Sequence, residues 1–258
     1  MNRMMWRLFG FLAVVCATNP AVAQHRTDVM VGVYEYSVVH FYHQGVQTGF
    51  AHELIKRLNG VQGDYQFVAV ETSSRRRYLD IATGQVDMMI LENPEWHWAG
   101  RNVEFSTPIV RESDILVARR DHVPGPAYFS RVLERSIAGV LGFHYKFVDF
   151  RDDPKQLTRL LDISLLYNES EVMEAVIRGD AEIGILSAGF VSQQFEHVPD
   201  IASRIEIGPQ ADNSYQLSSV LSNRSPVSVE RYNSYLDLLR AENAIAPNWS
   251  RWHRGILP

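Results

Sequence analysis

Apolar and polar positions along the first half of the chain alternate in the manner of strands and helices. Three short apolar runs predict buried strands, at 29–34, 65–70 and 86–91. A stripe of apolar residues at helical spacing predicts a helix beginning after Gly49, with Phe50, Ala51, Leu54, Ile55 and Leu58 on one face. Ser73 or Ser74 is a candidate N-cap for a second helix that runs to Thr83. This β-α-β-α-β order predicts a parallel sheet with helices packed on its faces.

The second half of the chain repeats the alternation. Apolar runs predict strands at 115–119, 137–141, 164–167, 183–186 and 217–221. Helices are predicted at 157–161, at 170–178, where Asn168 and Glu171 form a capping-box pair, and at the C-terminus around Tyr232–Leu239. Proline and glycine at 121–126, and the breakers Gly208 and Pro209 within 206–216, predict two irregular crossings between lobes. We therefore expect a discontinuous first lobe (24–120 and 214–258) and an inserted second lobe (121–213).

One phrase occurs twice, 95 residues apart. The segments 84–91 (GQVDMMIL) and 179–186 (GDAEIGIL) each follow a helical pattern, turn on a glycine, place an acid fourth and enter an apolar run. A helix, a tight turn and a buried strand of an α/β unit produce this order. The repeat predicts one equivalent unit in each of two lobes.

The first 23 residues have the character of a signal peptide. Arg3 and Arg7 form a positive n-region, an apolar stretch covers 8–17, and 21–23 (AVA) supplies a cleavage site before Gln24. The stretch is too short to span a bilayer, which disfavours an uncleaved anchor. Val15 before Cys16 disfavours a lipidated cysteine, because a small residue normally precedes one. We expect a soluble, exported, periplasmic protein.

Composition narrows the function classes further. Removing the signal removes the only cysteine, so neither a disulfide nor a thiolate nucleophile is expected in the mature chain. It also removes two arginines and no acids, which moves the formal net charge from −5 to −7. An acidic chain disfavours nucleic acid or an anionic membrane as the main partner.

The order of the motifs resembles the family-3 periplasmic solute-binding proteins, which have the type II periplasmic-binding fold. The segment 41–54 (FYHQGVQTGFAHEL) is similar to the family's aromatic residue, glycine turn and helix opening. Arg76 lies eight residues before the first repeat, as in the family's R…L…G.vD segment. The segments 104–109 (EFSTPI), 116–119 (LVAR) and 137–142 (IAGVLG) resemble the family's vdFS.Py motif, first hinge strand and anion-receiving glycine turn.

This resemblance implies an α/β protein of two lobes with two hinge crossings and a ligand cleft at the strand ends of both lobes. Ligands of open α/β sheets bind beyond the carboxyl ends of strands, which supports the same location. Tyr34 and Tyr36 follow the first strand and are candidates for an aromatic wall, although packing beneath a loop would explain them equally well. Packing explains Phe41 at least as well as ligand contact.

Several first-lobe residues are candidates for polar contacts to a ligand. The helix dipole disfavours cations at the start of a helix, where the triplet 75–77 (RRR) is predicted to lie. The triplet is therefore either a solvated basic face or includes a functional arginine. Arg76 occupies the position that matches the family. The segment that follows the first repeat replaces the family's polar run. Its candidates are Glu92, Asn93, Trp96 and, in place of the family's carboxylate-binding arginine, Arg101.

The second lobe departs further from amino-acid binders. Gly142, Phe143 and His144 occupy the expected anion turn, where His144 is predicted to be a hydrogen-bonding wall residue. Ser187 stands where the family has the acid that accepts a ligand's ammonium group, and a neutral hydroxyl cannot neutralise that charge. Glu92 could supply the charge from the other lobe. A standard α-amino acid is therefore disfavoured.

No catalytic or metal signature is present in the sequence. His40 and His43 are three residues apart without a third ligand at a suitable spacing, and neither a G-x-S-x-G motif nor a phosphate-binding glycine loop occurs. We predict no cofactor, no metal and no catalytic residue.

Three functions fit these features. The first is a monomeric binding protein that delivers a small polar or aromatic, amino-acid-like solute to an ABC-type permease. The second is a ligand-sensing module for a membrane receptor. The third is a dehydratase-like enzyme on the same fold, with Glu92 as the only acid that could be placed in the cleft.

Overall fold

The computed structural model describes residues 26–253. The predicted signal peptide lies outside the described residues. Elements of the first half are β1 (Thr27–Val33), β2 (Phe41–His43), β3 (Val46–Thr48), α1 (Phe50–Val61), β4 (Tyr65–Glu71), α2 (Arg77–Thr83), β5 (Met88–Glu92), β6 (Val103–Phe105) and β7 (Val110–Arg119).

The remaining elements continue the alternation of strand and helix. They are β8 (Ile137–Val140), α3 (Pro154–Leu160), β9 (Ile163–Leu166), α4 (Glu169–Arg178), β10 (Ile183–Ser187), α5 (Ala188–His197), α6 (Pro199–Arg204), β11 (Ile205–Ser222), α7 (Val229–Ala241) and α8 (Ala246–Trp252). Short 3-10 helices lie at Arg120–His122, Pro126–Glu134 and Lys146–Val148. Within 26–253, no helix combines the length and apolar character needed to cross a membrane.

One sheet runs through the whole molecule in the order β4-β1-β5-β11-β7-β10-β8-β9, with β6 also paired to β11. The strands β1, β4 and β5 are parallel to one another, as are β8, β9 and β10. Between these two parallel groups lie β7 and β11, which pair with each other in antiparallel orientation. The parallel α/β arrangement predicted for each half is therefore present, and two long strands join the halves.

The two copies of the repeated phrase occupy equivalent places. Gly84 ends α2 and Gly179 ends α4, both in the left-handed conformation, with φ of 79° and 82°. The acids are also equivalent. Asp87 accepts a hydrogen bond from the backbone N–H of Met30, which belongs to β1, and Glu182 accepts one from Ser136, which precedes β8. Each acid therefore fixes the turn to the neighbouring strand.

The return crossing differs from its prediction. An irregular segment was predicted over 206–216, but β11 is a single strand from Ile205 to Ser222. Its pairing with β7 shifts register between Ile207 and Ala211 and again between Ala211 and Asn213. Gly208 and Pro209 lie within the first shift, where a bulge removes the need for a ladder hydrogen bond. The breakers therefore bulge the strand without ending it.

Helix α2 begins later than predicted. The predicted caps Ser73 and Ser74 lie in the turn ahead of it, and the helix starts at Arg77. The hydroxyl of Ser73 accepts the N–H of Arg76, so it stabilises that turn. The capping prediction for α4 is confirmed, because the Asn168 side chain accepts the N–H of Glu171.

Hydrophobic side chains form separate cores in the two halves. One core combines buried residues between Val29 and Ile109 with buried residues from Tyr215 onward, and two others cover buried residues between Ile115 and Ile205. Side chains at the start of β7 pack in the first core and later ones pack in the other two, whereas β11 runs from the second core into the first. These strands therefore connect the two halves, and the lobe boundaries at 120/121 and 213/214 stay a prediction.

Candidate functional site

A narrow cavity lies where the two halves meet. It is lined by residues from both halves and from the two connecting strands: Tyr34, Tyr36, Arg77, Trp96, Asp114, Phe143, His144, Tyr145 and Tyr215. The volume inside it that is open to the centre of a water molecule is only about 10 Å³. This is about the space that one water molecule needs. The side chains nearly fill the cavity, so a larger molecule requires movement of these rings or opening of the halves.

Aromatic rings form most of the wall. The ring of Tyr36 meets Trp96 and Phe143 edge-on, at centroid distances of 5.7 and 5.5 Å, and it stacks on Tyr34 at 6.2 Å. Trp96 also meets Tyr215 edge-on at 5.3 Å. The Tyr36–Phe143 contact joins the first half to the second. Trp96 Nε1 is buried and has no hydrogen-bond partner among residues 26–253, so this wall has an unused donor.

The buried cation of the cavity is Arg77, at the start of α2. Its side chain is 1% exposed, and its Nε lies 3.3 Å from the Glu92 Oε2 at the end of β5. Its Nη2 donates to the Tyr78 hydroxyl at 2.7 Å, and the guanidinium lies 4.9 Å from the centre of the Tyr34 ring. Burial lowers the pKa of Arg77, but Glu92 and the surrounding tyrosines raise it, and the net result is a pKa above the ordinary value. Arg77 is therefore a cation within an aromatic enclosure.

Glu92 is the acid of that ion pair and lies outside the cavity lining. It is fully buried and accepts a hydrogen bond from Trp98 Nε1 at 3.0 Å. Burial raises the pKa of Glu92, while Arg77 and the Trp98 hydrogen bond act in the opposite direction. Because Glu92 faces Arg77 and lies outside the cavity lining, it neutralises the arginine and not a molecule in the cleft.

The carboxylate of the cavity belongs to Asp114, in the middle of β7. It is 4% exposed and accepts the hydroxyl of Tyr215 at 2.9 Å, and that hydroxyl lies 2.6 Å from the hydroxyl of Tyr36. Burial raises the pKa of Asp114 well above its usual range, and the neighbouring acids Asp212 and Glu112 add to the rise. A cationic group in the cavity would offset this cost, because it favours the ionised carboxylate.

The second half closes the cavity with the turn after β8. Gly142 has φ of 84°, and a Cβ there would lie 2.7 Å from Arg75 Cγ, so both conformation and space require glycine. Ser74 donates its hydroxyl to the carbonyl of Leu141 at 3.0 Å, which ties the halves together here. No α-helix follows this turn; the next element is the 3-10 helix Lys146–Val148. The predicted anion turn therefore contributes wall side chains and not a helix N-terminus.

His144 approaches Arg77 from the second half. Its Nδ1 lies 3.5 Å from Arg77 Nη2, and its Nε2 lies 3.4 Å from Asp152 Oδ2. Burial lowers the pKa of His144 to about 4, although Asp152 opposes the shift. The imidazole is therefore neutral at neutral pH, in keeping with the wall role predicted for it.

Ser187 takes no part in lining the cavity. Its N–H and its hydroxyl both donate to Glu169 Oε1 at 2.7 Å, and its own oxygen caps α5 by accepting the N–H of Phe190. The other oxygen of Glu169 accepts the N–H of Ser37 from the first half at 2.7 Å. Burial raises the pKa of Glu169 to about 7, against the lowering effect of these hydrogen bonds. Ser187 therefore helps to hold a carboxyl that joins the two halves.

The structure brings five of the predicted site residues to the cavity: Tyr34, Tyr36, Trp96, Phe143 and His144. Gly142 adjoins them, whereas Arg76, Glu92, Asn93, Arg101 and Ser187 are not in the lining. Arg76 is an exposed side chain paired with Asp80 at 3.4 Å, and its neighbour Arg77 points inward instead. Asn93 accepts the N–H of Glu95 and donates to the carbonyl of Gln216, so it shapes the loop.

Arg101 lies outside the cavity lining, beside Tyr78. Its guanidinium covers the ring of Tyr78 at 4.3 Å from the centroid and donates to the carbonyl of His97 at 2.9 Å. These contacts support the loop that carries Trp96 and His97. Phe41, for which packing was the alternative, meets Trp252 edge-on at 5.7 Å and lies outside this cavity.

The sequence reasoning missed Arg77, Asp114 and Tyr215 as cavity residues. Two signals were available in the sequence. Arg77 is one of three consecutive arginines, and only the helix phase decides which of them faces inward. Glu112 and Asp114 are acids two apart in β7, just before its apolar run 115–118, so both side chains are on one face of the strand.

Comparison with known proteins identifies the fold. No family model matches the chain, and no curated protein matches it. Among solved structures, the ligand-binding core of GluR0 from Nostoc punctiforme, in complex with glutamate, superposes with a TM-score of 0.70 at 14% identity, over 88% of this chain and 100% of that one. The chain has the two-lobed periplasmic-binding fold. This confirms the predicted fold class.

Two further structures share the periplasmic-binding fold with this chain. One, described as a binding component of an ABC transporter from Wolinella succinogenes and solved with lysine, has a TM-score of 0.70 at 15% identity, over 90% of this chain and 97% of that one. The other is an ancestral amino acid-binding protein, a precursor of cyclohexadienyl dehydratase, with a TM-score of 0.68 at 17% identity, over 88% and 95%. In this fold the halves are lobes, and the cavity lies between them.

Proposed function

We propose that this protein is a periplasmic, monomeric solute-binding protein that takes up a small amino-acid-like molecule between its lobes and delivers it to an ABC-type permease. The observation that carries the proposal is the interlobe cavity walled by aromatic rings and containing one buried carboxylate, Asp114. The comparisons support a binding role, because the neighbours include an ABC-transporter component solved with lysine.

The charges of the cavity favour a ligand that carries a cationic group. Arg77 is already paired with Glu92, which leaves Asp114 as the carboxylate of the lining without a cation. The rings of Tyr36, Trp96 and Tyr215 surround the same space, and aromatic faces attract cations. We therefore expect an amine or a cationic amino acid to bind more tightly than an acid of the same size.

Ligand binding requires the lobes to open first, because the closed cavity has room for about one water molecule. A ligand that contacts both lobes then favours the closed state over the open one. In this scheme Asp114, Tyr34 and Trp96 receive the ligand, and Phe143 and His144 cover it on closure.

A thermal-shift screen of the chain from Gln24 onward tests the proposal. The panel comprises cationic, neutral and acidic amino acids, polyamines, sugars and aromatic acids. A ligand at 100 times its Kd adds about 2.7 kcal/mol to the free energy of unfolding. At about 2–4 °C per kcal/mol for a domain of this size, the midpoint rises by about 5–11 °C.

The variant Asp114→Asn identifies the site. The amide keeps the shape of the carboxyl but cannot attract a cation, so we expect the ligand-induced shift to fall below 2 °C at the same concentration. Asp237→Asn, an exposed residue on α7, is the matched control and should retain the full shift. An equal shift in both variants, or no shift with any compound, would contradict the proposal.

A dehydratase-like activity is the alternative with a specific structural neighbour, the precursor of cyclohexadienyl dehydratase. Glu92, the acid predicted for that role, is held in the ion pair with Arg77, so Asp114 is the acid that adjoins the cavity. Turnover of prephenate-like acids by the purified wild-type chain, lost in Asp114→Asn, would favour the enzyme over the binding protein.

A further inference from the structure

Two histidines and an aspartate converge at the rim of the cleft, beside the aromatic cavity. Asp152 Oδ1 lies 3.1 Å from His97 Nδ1, and Asp152 Oδ2 lies 3.4 Å from His144 Nε2. One candidate ligand atom from each residue lies within 4.8 Å of the other two. His97 follows β5 in the first lobe, whereas His144 and Asp152 lie between β8 and α3 in the second. The cluster therefore spans the cleft.

Each histidine nitrogen lies about as far from an Asp152 oxygen as neighbouring ligand atoms lie in a tetrahedral metal site, and the two histidines face different oxygens of that carboxylate. Zinc binds histidine nitrogen and carboxylate oxygen at about 2.0–2.2 Å, which places neighbouring ligand atoms about 3.3–3.5 Å apart. Two imidazoles with one carboxylate are a frequent ligand set for Zn²⁺, and they leave the fourth position open. With one atom from each residue, the three ligand atoms lie within 4.8 Å of one another, so side-chain rotations accompany metal binding.

The rim position gives an ion access from solvent. The side chains of His97 and Asp152 are 45% and 32% exposed, while that of His144 is buried. The His97 backbone has φ of 52°, so the loop holds this imidazole toward the opposite lobe from a left-handed conformation.

One contact opposes metal binding at His144. Coordination through Nε2 leaves the His144 proton on Nδ1, which faces Arg77 Nη2 at 3.5 Å. Glu92 offsets the charge of Arg77, so this contact weakens the site without forbidding it.

We propose that His97, His144 and Asp152 bind one divalent transition-metal ion, with Zn²⁺ as the best match, across the cleft between the lobes. Because the ligands come from both lobes, a bound ion favours the closed arrangement. The site adjoins the solute cavity and shares His144 with its lining, and its ion would act as a clamp at the rim.

Calorimetric titration of ZnCl₂ into the chain from Gln24 onward, without a histidine tag, tests the proposal at pH 7. We expect one saturable site per chain. His97→Ala and Asp152→Asn should each weaken Zn²⁺ binding at least tenfold, because changes even to outer-shell partners of a metal cost about 10–100-fold in affinity. Both replaced side chains are partly exposed, so the variants should fold, which circular dichroism without metal verifies.

The control is a second pair of histidines. His43 and His197 face each other at a ring-centroid distance of 5.7 Å on another part of the surface. His197→Ala should bind Zn²⁺ as the wild type does. Loss of binding in His197→Ala, wild-type affinity in both cluster variants, or the lack of a saturable site in the wild type would each overturn the proposal. These readouts require no solute, so they are independent of the proposed transport function.

Discussion

The ion pair between Arg77 and Glu92 allows a quantitative test of the cavity architecture. The two side chains are 1% and 0% exposed, and their closest atoms are 3.3 Å apart. The substitution Glu92→Gln keeps the volume of the side chain and an acceptor for Trp98 Nε1, but it leaves the guanidinium buried without a counter-charge. Arg77 stays charged in this variant, because a guanidinium is not deprotonated in proteins.

Removing one partner of a buried ion pair costs about 3–5 kcal/mol, since the other charge stays buried and uncompensated. For a protein of this size, that corresponds to a fall in Tm of about 6–20 °C. Urea denaturation followed by circular dichroism measures the free energy directly. Arg76→Gln is the matched control in the same arginine triplet. Its side chain is 69% exposed, so we expect a change of about 0–1 kcal/mol.

A double variant separates the loss of a charge pair from the loss of packing. In Arg77→Met with Glu92→Gln neither member of the pair is charged, so the cost of an uncompensated buried charge is removed. We expect this double variant to be more stable than Glu92→Gln alone, which gives a favourable coupling in the cycle. The reasoning fails if Glu92→Gln and Arg76→Gln differ by less than about 1 kcal/mol, or if the double variant is the least stable of the set.

Two further predictions concern contacts between the lobes. Gly142→Ala should destabilise the chain by more than Gly45→Ala in urea denaturation. Both glycines have positive φ, which costs about 1–2 kcal/mol for alanine, but only Gly142 meets Arg75 and Ser74. Burial raises the pKa of Glu169 to about 7 in the folded chain, from an ordinary value of 4.5. The contribution of Glu169 to the free energy of unfolding is therefore complete below about pH 4.5 and is lost as the pH rises to about 7. That loss is about 3 kcal/mol, and Glu169→Gln should remove this part of the pH slope; equal slopes would contradict it.

The fold could be predicted because its units are local. Each repeat contains its helix end, glycine turn and strand within eight residues, and both left-handed glycines lie where the pattern placed them. The strand β11 could not be predicted in the same way. Gly208 and Pro209 are breakers in isolation, and only the partner β7, about 90 residues earlier in the chain, keeps the strand continuous through two register shifts.

The candidate site was only partly predictable, for two physical reasons. Aromatic residues after strand ends reach the cleft because the strand direction fixes where they lie, which holds for Tyr34 and Trp96. The choice between Arg76 and Arg77 depends on the rotation of α2, whose first residue was predicted too early. The cluster of His97, His144 and Asp152 depends on how the lobes meet, and no sequence spacing encodes that.

The residues that end the repeated strands explain why specificity has to come from elsewhere in the cleft. Glu92 ends one strand and is neutralised by Arg77, whereas Ser187 ends the other and donates twice to Glu169. Both positions are therefore occupied by internal contacts.

The carboxyl group of the cavity lining, Asp114, lies instead on β7, and Tyr215, which donates to it, lies on β11; these two strands connect the lobes. A ligand cation bound to Asp114 would contact β7, one of the two strands that connect the lobes. Ligand binding would then stabilise one position of these connecting strands, and with it one angle between the lobes. Replacing Tyr215 with phenylalanine, which removes the hydroxyl that joins Asp114 to Tyr36, should therefore weaken ligand binding without removing any wall of the cavity.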